Sequence, residues 1–140
     1  MSVFQFFDMP ATTVPKILTS VQETSGAGAA VAITVVGVGG YRHYLASCFW
    51  SYSAAPTAGA LTIAGLNGED LAMDITAAGP GPMGFPPVAG AVGTDLVVTL
   101  AGGGGAVVGK LTIFYATLPA VYTYQGATIA KSIARNLMPS

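Results

Sequence analysis

His43 and Cys48 are the chain's only histidine and only cysteine, so a cysteine–histidine dyad or mixed metal site within one chain needs both. Both lie in residues 41–52, an apolar run rich in aromatic residues that predicts a long β-strand. Side chains alternate between the two faces of a strand, so an offset of five places these residues on opposite faces. We therefore predict that no dyad forms, that Cys48 is a small buried hydrophobic residue and that His43 is half-buried.

A phosphate-binding loop is the second chemistry that the sequence suggests. Residues 104–110 fit the first seven positions of the P-loop pattern, ending in Gly109 and Lys110. The eighth position is Leu111, where Mg²⁺ ligation requires serine or threonine, and a β-run follows instead of a helix. The segment is therefore predicted to be a glycine-rich hairpin with one solvent-facing lysine.

Glu69, Asp70 and Asp74 form the only group of neighbouring carboxylates. Asp70 and Asp74 would share a strand face, where they could bind Ca²⁺ with turn carbonyls or act as an acid/base pair. Their spacing matches no EF-hand loop, and a site needs convergent partners. Solvated turn charges are the favoured interpretation. We predict no catalytic residue, no metal ligand, no cofactor and hence no enzyme.

Aromatic side chains suggest binding of two different kinds. Tyr41, Tyr44, Trp50 and Tyr52 would form a stacking platform for sugars if they shared one face of the sheet. A second set is predicted to anchor an interface, since aromatic residues are enriched at interaction hot spots. That set consists of Phe4, Phe6, Phe7, Trp50, Tyr122, Tyr124, Ile129 and Ile133. Its aromatic members could equally belong to the core.

The composition favours a protein that works within an assembly. Only 8% of the residues are charged, 52% are hydrophobic, and the mean hydropathy is +0.64. A typical soluble domain has roughly 25% charged residues. We therefore expect other subunits to cover part of the surface, although a bland surface of small residues is the alternative.

We expect neither nucleic acid nor a membrane to be a partner of this protein. The net charge is −1 and no basic cluster occurs, whereas nucleic-acid binding needs clustered lysine and arginine. The three longest uncharged segments are interrupted by glycine, proline or polar residues, so none predicts a membrane-spanning helix. The N-terminus lacks the positive region of a signal peptide.

Short runs of β-forming residues separated by glycine and proline predict the fold. We expect an all-β domain, a single jelly roll or β-sandwich of about eight short antiparallel strands. An immunoglobulin-like sandwich has a similar strand count, and the order of the strands along the sequence cannot by itself separate the two topologies. The predicted division is an N-terminal arm (1–13), the β domain (14–118) and a C-terminal arm (119–140), in which residues 127–137 have the spacing of a short amphipathic helix.

Several local predictions can be compared with the structure. Residues 14–23 are predicted to be an edge strand, 29–36 a buried strand and 83–88 at most a short edge strand. Asn67 and Gly68 predict a hairpin turn. Residues 95–100 and 107–116 are predicted to pair as a hairpin across residues 102–105, with Leu111, Ile113 and Tyr115 on one face of the second strand and Lys110, Thr112 and Phe114 on the other.

Several stretches together resemble small phage virion proteins, and more narrowly the capsid cement (head decoration) proteins of tailed bacteriophages. These stretches are residues 40–45, 50–63, 74–82, 97–103 and 109–112. The resemblance covers about residues 26–116 and includes no catalytic motif. It implies a jelly roll that binds the outside of an icosahedral capsid as a dimer or trimer.

Two functions follow as hypotheses. In the first, the protein cements neighbouring subunits of the major capsid protein on the outer surface of a virion assembled in the host cytoplasm, and it also binds further copies of itself. In the second, it is a carbohydrate- or receptor-binding module of a phage tail fibre or spike. The fold would suit either function.

Overall fold

The computed structural model describes residues 18–120; for residues 82–87 it describes the backbone alone. This part of the chain forms eight β-strands and contains no α-helix. The strands are β1 (Thr19–Thr24), β2 (Val31–Val35), β3 (Tyr41–Tyr52), β4 (Gly59–Ala64), β5 (Leu71–Ile75), β6 (Gly81–Ala89), β7 (Leu96–Leu100) and β8 (Gly109–Pro119). The predicted all-β class and strand count are confirmed. Between residues 18 and 120 there is no helix able to cross a membrane.

The strands form two four-stranded antiparallel sheets, sheet A in the order β1-β8-β3-β6 and sheet B in the order β2-β7-β4-β5. The antiparallel pairs are nested along the chain. The innermost pair is β4·β5, and it is enclosed in turn by β3·β6, β2·β7 and β1·β8. Only β4 and β5 are consecutive strands within one sheet. This is the jelly-roll arrangement, and it excludes the immunoglobulin topology.

The core lies between the two sheets and is built by period-two alternation. In β2, the residues Val31, Ile33 and Val35 are buried, whereas the two between them are exposed. The largest fully buried side chains come from both sheets: Leu45, Cys48, Leu61, Ile63, Leu96, Val98, Leu100, Leu111 and Ile113. β2 was predicted to be a buried strand, but it is an edge strand with only one buried face.

A β-bulge at Ala46 interrupts the long strand β3. Leu45 pairs with Tyr115 and Ser47 pairs with Phe114, so Ala46 has no partner in β8. The extra residue reverses the alternation, because two residues of one strand oppose one residue of the other. As a result His43, Leu45, Cys48 and Tyr52 all point towards the core. The prediction that His43 and Cys48 lie on opposite faces is wrong for this reason.

The predicted hairpin between residues 95–100 and 107–116 is also wrong. β7 lies in sheet B between β2 and β4, and β8 lies in sheet A between β1 and β3. The glycine loop that joins them crosses from one sheet to the other, so the strands face each other across the core. Each strand has one apolar face, and that pattern is the same for strands that pair and strands that pack face to face.

Other local predictions agree with the structure. The Asn67-Gly68 turn joins the paired strands β4 and β5, and the edge positions of β1 and β6 are as expected. In β8, Leu111 and Ile113 face the core, whereas Lys110 is exposed on the opposite face. β6 is longer than predicted, and β8 continues to Pro119 instead of ending at Ala116. The amphipathic helix predicted for residues 127–137 lies outside the described residues.

Candidate binding groove on the outer face of sheet A

The outward-facing side chains of β1, β8 and β3 lie in rows that cross sheet A. Gln22 pairs with Thr112, which pairs on its other side with Phe49. In the next row Lys110 lies between Thr24 and Ser51. Neighbouring strands are about 4.8 Å apart, so side chains in one row are in direct reach of one another.

Residues of these two rows line an open groove of about 220 Å³. Its lining residues are Gln22, Phe49, Trp50, Ser51, Pro80, Lys110 and Thr112. The lining combines aromatic rings, one amide, two hydroxyls and one ammonium group. Small-molecule sites have this character: apolar surface with a few polar groups that orient the ligand.

Phe49 supplies the most accessible apolar surface of the groove. Its side chain is 44% exposed although it lies in the middle strands of the sheet. The ring packs edge-to-face on Phe114, with centroids 5.7 Å apart and an interplanar angle of 87°. This single aromatic contact leaves 44% of the side chain exposed, so part of the ring is available for a ligand.

Trp50 lines the groove from the end of β3. Its register partner is the fully buried Leu111, so the side chain starts from the inner face of the sheet, packs against the core and is half-buried. The indole lies over the backbone of Gly79 and Gly81, where a Cβ atom would collide with the ring. Glycine at these two positions therefore lets Trp50 reach the groove beside Pro80.

The polar side chains of the groove are unpaired within the part of the chain that the structure describes. The side chains of Gln22, Ser51, Thr112 and Lys110 make no hydrogen bond or ion pair to any other residue in the described part of the chain. Together they present donors and acceptors, and Lys110 is the only charged residue among those that line the groove. The groove is therefore weakly electropositive and offers several hydrogen bonds.

The aromatic platform predicted from Tyr41, Tyr44, Trp50 and Tyr52 does not form. Tyr44 and Tyr52 are only 6% and 5% exposed, and the hydroxyl of Tyr52 donates a hydrogen bond to the carbonyl oxygen of Ala101 at 2.7 Å. Burial also raises the pKa of Tyr52. The bulge places Tyr44 and Tyr52 on opposite faces of sheet A, so only Trp50 of this set contributes to the groove.

His43 and Cys48, the two residues most suited to nucleophilic or acid–base chemistry, both have structural roles in the core. The Nε2 of His43 donates to the carbonyl oxygen of Val36 at 2.9 Å, and its Nδ1 is hydrogen-bonded to the hydroxyl of Thr117 at 2.7 Å. His43 is 3% exposed, and Leu45 separates it from Cys48 along the inner face. The imidazole thus connects β8 with the β2–β3 turn and is not in position to activate the thiol.

Cys48 is expected to be chemically inert in the folded protein. It is fully buried, and burial raises the pKa of its thiol to about 11, so only about one thiol in a thousand is ionised at pH 8. A thiol-reactive dye added at pH 8 should label the native protein only as fast as the protein unfolds, and denaturant should give one label per chain. Rapid stoichiometric labelling of native protein would contradict this assignment.

The carboxylates are separated instead of gathered into a site. An Asp70 carboxylate oxygen accepts a hydrogen bond from the Gly65 amide at 3.1 Å and thereby closes the β4–β5 turn. Asp74 is exposed on β5 opposite Ala60. Across residues 18–120 no cluster of three or more His, Cys, Asp or Glu side chains is arranged to hold a metal ion.

A second cavity, of about 200 Å³, opens beside the edge strand β5. Its lining residues are Leu61, Ile63, Leu71, Ala72 and Met73. The side chains are all apolar, so the cavity has no side-chain group that would orient a polar ligand. The groove on sheet A is therefore the better candidate for a specific site.

Of the residues predicted to anchor an interface, only Trp50 lies within the described part of the chain, and it lines the groove. The others lie outside the described residues: Phe4, Phe6, Phe7, Tyr122, Tyr124, Ile129 and Ile133. Their role stays a prediction.

The sequence held a partial signal for the groove. The alternation in β8 placed Lys110, Thr112 and Phe114 on one face, as the structure has them. Gln22 and Ser51 were missed because their position beside Thr112 and Lys110 depends on strand register. Phe49 was missed as well, because its outward position depends on the bulge at Ala46, which has no signature in the sequence.

No family model and no curated protein matches the chain. Solved structures similar to it include the CBM36-1 domain of a multidomain xylanase from the hindgut metagenome of Trinervitermes trinervoides, with a TM-score of 0.39 and 11% identity over 70% of this chain and 94% of that one. They also include a carbohydrate-binding module CBM36 in complex with calcium and xylotriose, with a TM-score of 0.36 and 17% identity over 71% and 99% of the two chains.

A third similar structure is TmCBM61 in complex with β-1,4-galactotriose, with a TM-score of 0.36 and 12% identity over 74% of this chain and 83% of that one. TM-scores below 0.5 are too low to support an argument about either the fold or a ligand. The jelly-roll assignment therefore rests on the strand order of the two sheets. The comparisons give no support to the capsid part of the resemblance.

Proposed function

We propose that this chain is a non-catalytic carbohydrate-binding module whose site is the groove on the outer face of sheet A. The observation that carries the proposal is the exposed ring of Phe49 beside polar side chains that have no partner among the residues that the structure describes. A pyranose ring has an apolar C–H face and a rim of hydroxyls. The first stacks on an aromatic ring, and the second exchanges hydrogen bonds with amide, hydroxyl and ammonium groups.

The size and shape of the groove suit weak, surface-type recognition. A volume of about 220 Å³ accommodates one or two sugar units, and the open groove leaves much of the ligand in water. We expect a dissociation constant of about 1 mM or somewhat below it for a short oligosaccharide. Multivalent display would raise the apparent affinity.

The absence of catalysis is part of the proposal. The imidazole of His43 is engaged at both nitrogens, the thiol of Cys48 is fully buried, and Asp70 closes a turn. None of these groups lies in the groove. The module would therefore bind a glycan without changing it.

A glycan array tests this function directly. The protein should be displayed in multivalent form on an array of neutral and uronic-acid-containing oligosaccharides. We expect selective binding to one structural group of glycans, and Lys110→Gln should weaken binding to acidic glycans more than to neutral ones because it removes the only charge of the groove. An array without any specific binder would count against the proposal.

A second candidate function is the cementing of a virus capsid. It is favoured by the low charge content, by the resemblance to phage cement proteins and by the exposure of large apolar side chains such as Val36 and Val38. In this function the module would bind the major capsid protein on the outer surface of the virion. Stabilisation of purified capsids against heat on addition of the protein would support it; capsids that neither bind the protein nor gain stability would exclude it.

A further inference from the structure

Lys110 is the one exposed lysine or arginine in the described part of the chain. Residues 18–120 contain two such residues, Arg42 and Lys110. Arg42 is half-buried and donates a hydrogen bond to the carbonyl oxygen of Gly90 at 3.1 Å. Lys110 is exposed on the outer face of β8, which is an inner strand of sheet A. A positive charge thus lies within the face of a sheet, in a chain of which only 8% of the residues are charged.

No carboxylate in the described part of the chain neutralises Lys110. Its cross-strand neighbours are the hydroxyl side chains of Thr24 and Ser51, and it forms no ion pair with any other residue described. Glu23 on β1 pairs with the core-facing Leu111 and therefore starts from the opposite face of the sheet. Oppositely charged cross-strand partners stabilise a sheet, and Lys110 has none among these neighbours. Its charge is therefore available to a ligand in the groove.

Lys110 lies diagonally across from Phe49 in the groove. Phe49 is directly opposite Thr112, and Lys110 is two residues from Thr112 along β8. Diagonal neighbours of this kind are about 7–8 Å apart, a separation that long side chains bridge. A pyranose ring stacked on Phe49 can therefore turn the substituent on its C5 atom towards the ammonium group. The hydroxyl of Ser51, in the same row as Lys110, can donate a hydrogen bond to that substituent.

We propose that the groove selects an acidic sugar, a pyranose whose C5 atom carries a carboxylate as in a hexuronic acid; this inference rests on the proposed carbohydrate-binding function. The ammonium of Lys110 donates to the carboxylate, and a hydrogen bond between charged groups is about twice as strong as one between neutral groups. A neutral sugar would displace water from the ammonium without supplying an opposite charge, which weakens binding. Lys110 therefore sets the class of glycan, and Phe49 supplies the stacking surface.

Matched oligosaccharides that differ only in the substituent on C5 test this inference. They are the trimers of galacturonic acid and of mannuronic acid, the methyl esters of both, and the neutral trimers of galactose and of mannose with the same linkages. The fluorescence of Trp50, the only tryptophan of the chain, reports binding because this side chain lines the groove. We expect an acidic trimer to bind about tenfold or more tightly than its ester and its neutral counterpart, and added sodium chloride to reduce this preference.

The outcomes separate this inference from the proposed function. A neutral trimer or an ester that binds as tightly as its acid would overturn the inference and leave the proposed function standing. Absence of binding by all of these trimers would also overturn the inference, and the glycan array shows separately whether the chain binds any other carbohydrate.

Substitutions of Lys110 separate its charge from the integrity of the fold. Lys110→Arg keeps the charge and should keep the preference for the acid, whereas Lys110→Gln should bring the ratio of the affinities for acid and neutral trimers to about one. Asp74→Asn is the matched control, since it changes the net charge by one unit on the other sheet and should leave the ratio as in wild type. All three variants should have the circular dichroism spectrum and urea midpoint of wild type. A Lys110→Gln protein that prefers the acid as strongly as wild type does would refute the inference.

Discussion

Deletion of Ala46 is expected to abolish cooperative folding of the jelly roll. Without the bulge residue, the alternation along β3 runs uninterrupted through its pairing with β8. Either the half that carries Leu45 or the half that carries Cys48 and Tyr52 must then turn outward. Exposing each large buried side chain costs about 1.5–3 kcal/mol, and a whole domain is stable by only about 5–15 kcal/mol.

Urea unfolding followed by circular dichroism measures this effect, with Ala46→Ser as the matched control because it retains the residue count. The serine variant should unfold cooperatively close to the wild-type midpoint. In the deletion variant Cys48 should also become reactive towards thiol reagents under native conditions. A deletion variant with the wild-type midpoint and slope would show that the register of β3 does not depend on the bulge.

Replacing Phe49 with alanine is expected to remove detectable glycan binding. The ring is the largest exposed apolar surface in the groove, and truncation of a central aromatic contact typically costs about 2 kcal/mol, or roughly 30-fold in affinity. From a starting constant near 1 mM, that loss places the complex beyond the range of calorimetric titration.

Two controls separate a lost contact from a lost fold. Phe49→Tyr keeps the ring and should retain binding within a few fold. Val36→Ser changes an exposed residue on the β2–β3 turn, outside the groove, and should leave glycan binding unaffected. Equal binding by wild type and Phe49→Ala would show that the groove is not the site.

The fold could be predicted from the sequence where a local pattern decides the structure. The bounds of β3 and the Asn67-Gly68 turn follow from β-propensity and turn chemistry. The sheet in which each strand lies could not be predicted, because β7 and β8 have the same one-sided apolar pattern as a hairpin although they lie in different sheets. Strand pairing depends on long-range packing, which a single segment does not encode.

The groove was only half predictable for a related reason. Lys110 and Thr112 were placed on the correct outer face, since alternation within one strand suffices for that. The faces of Phe49 and Tyr52 could not be derived from alternation, since the unpaired residue Ala46 reverses the alternation of every later residue in β3. An alanine in a bulge has no distinguishing propensity, so only the pairing with β8 reveals it.

Amide chemical shift mapping of the ¹⁵N-labelled protein is the most direct test of the central claim, that the groove on sheet A binds carbohydrate. The protein would be titrated with the oligosaccharide that binds best on the array. We predict saturable shifts confined to the groove, at Gln22, Phe49, Ser51, Lys110 and Thr112, with none at Val36 or Val92. Saturable shifts centred on another surface, or no shifts at millimolar sugar, would contradict the claim.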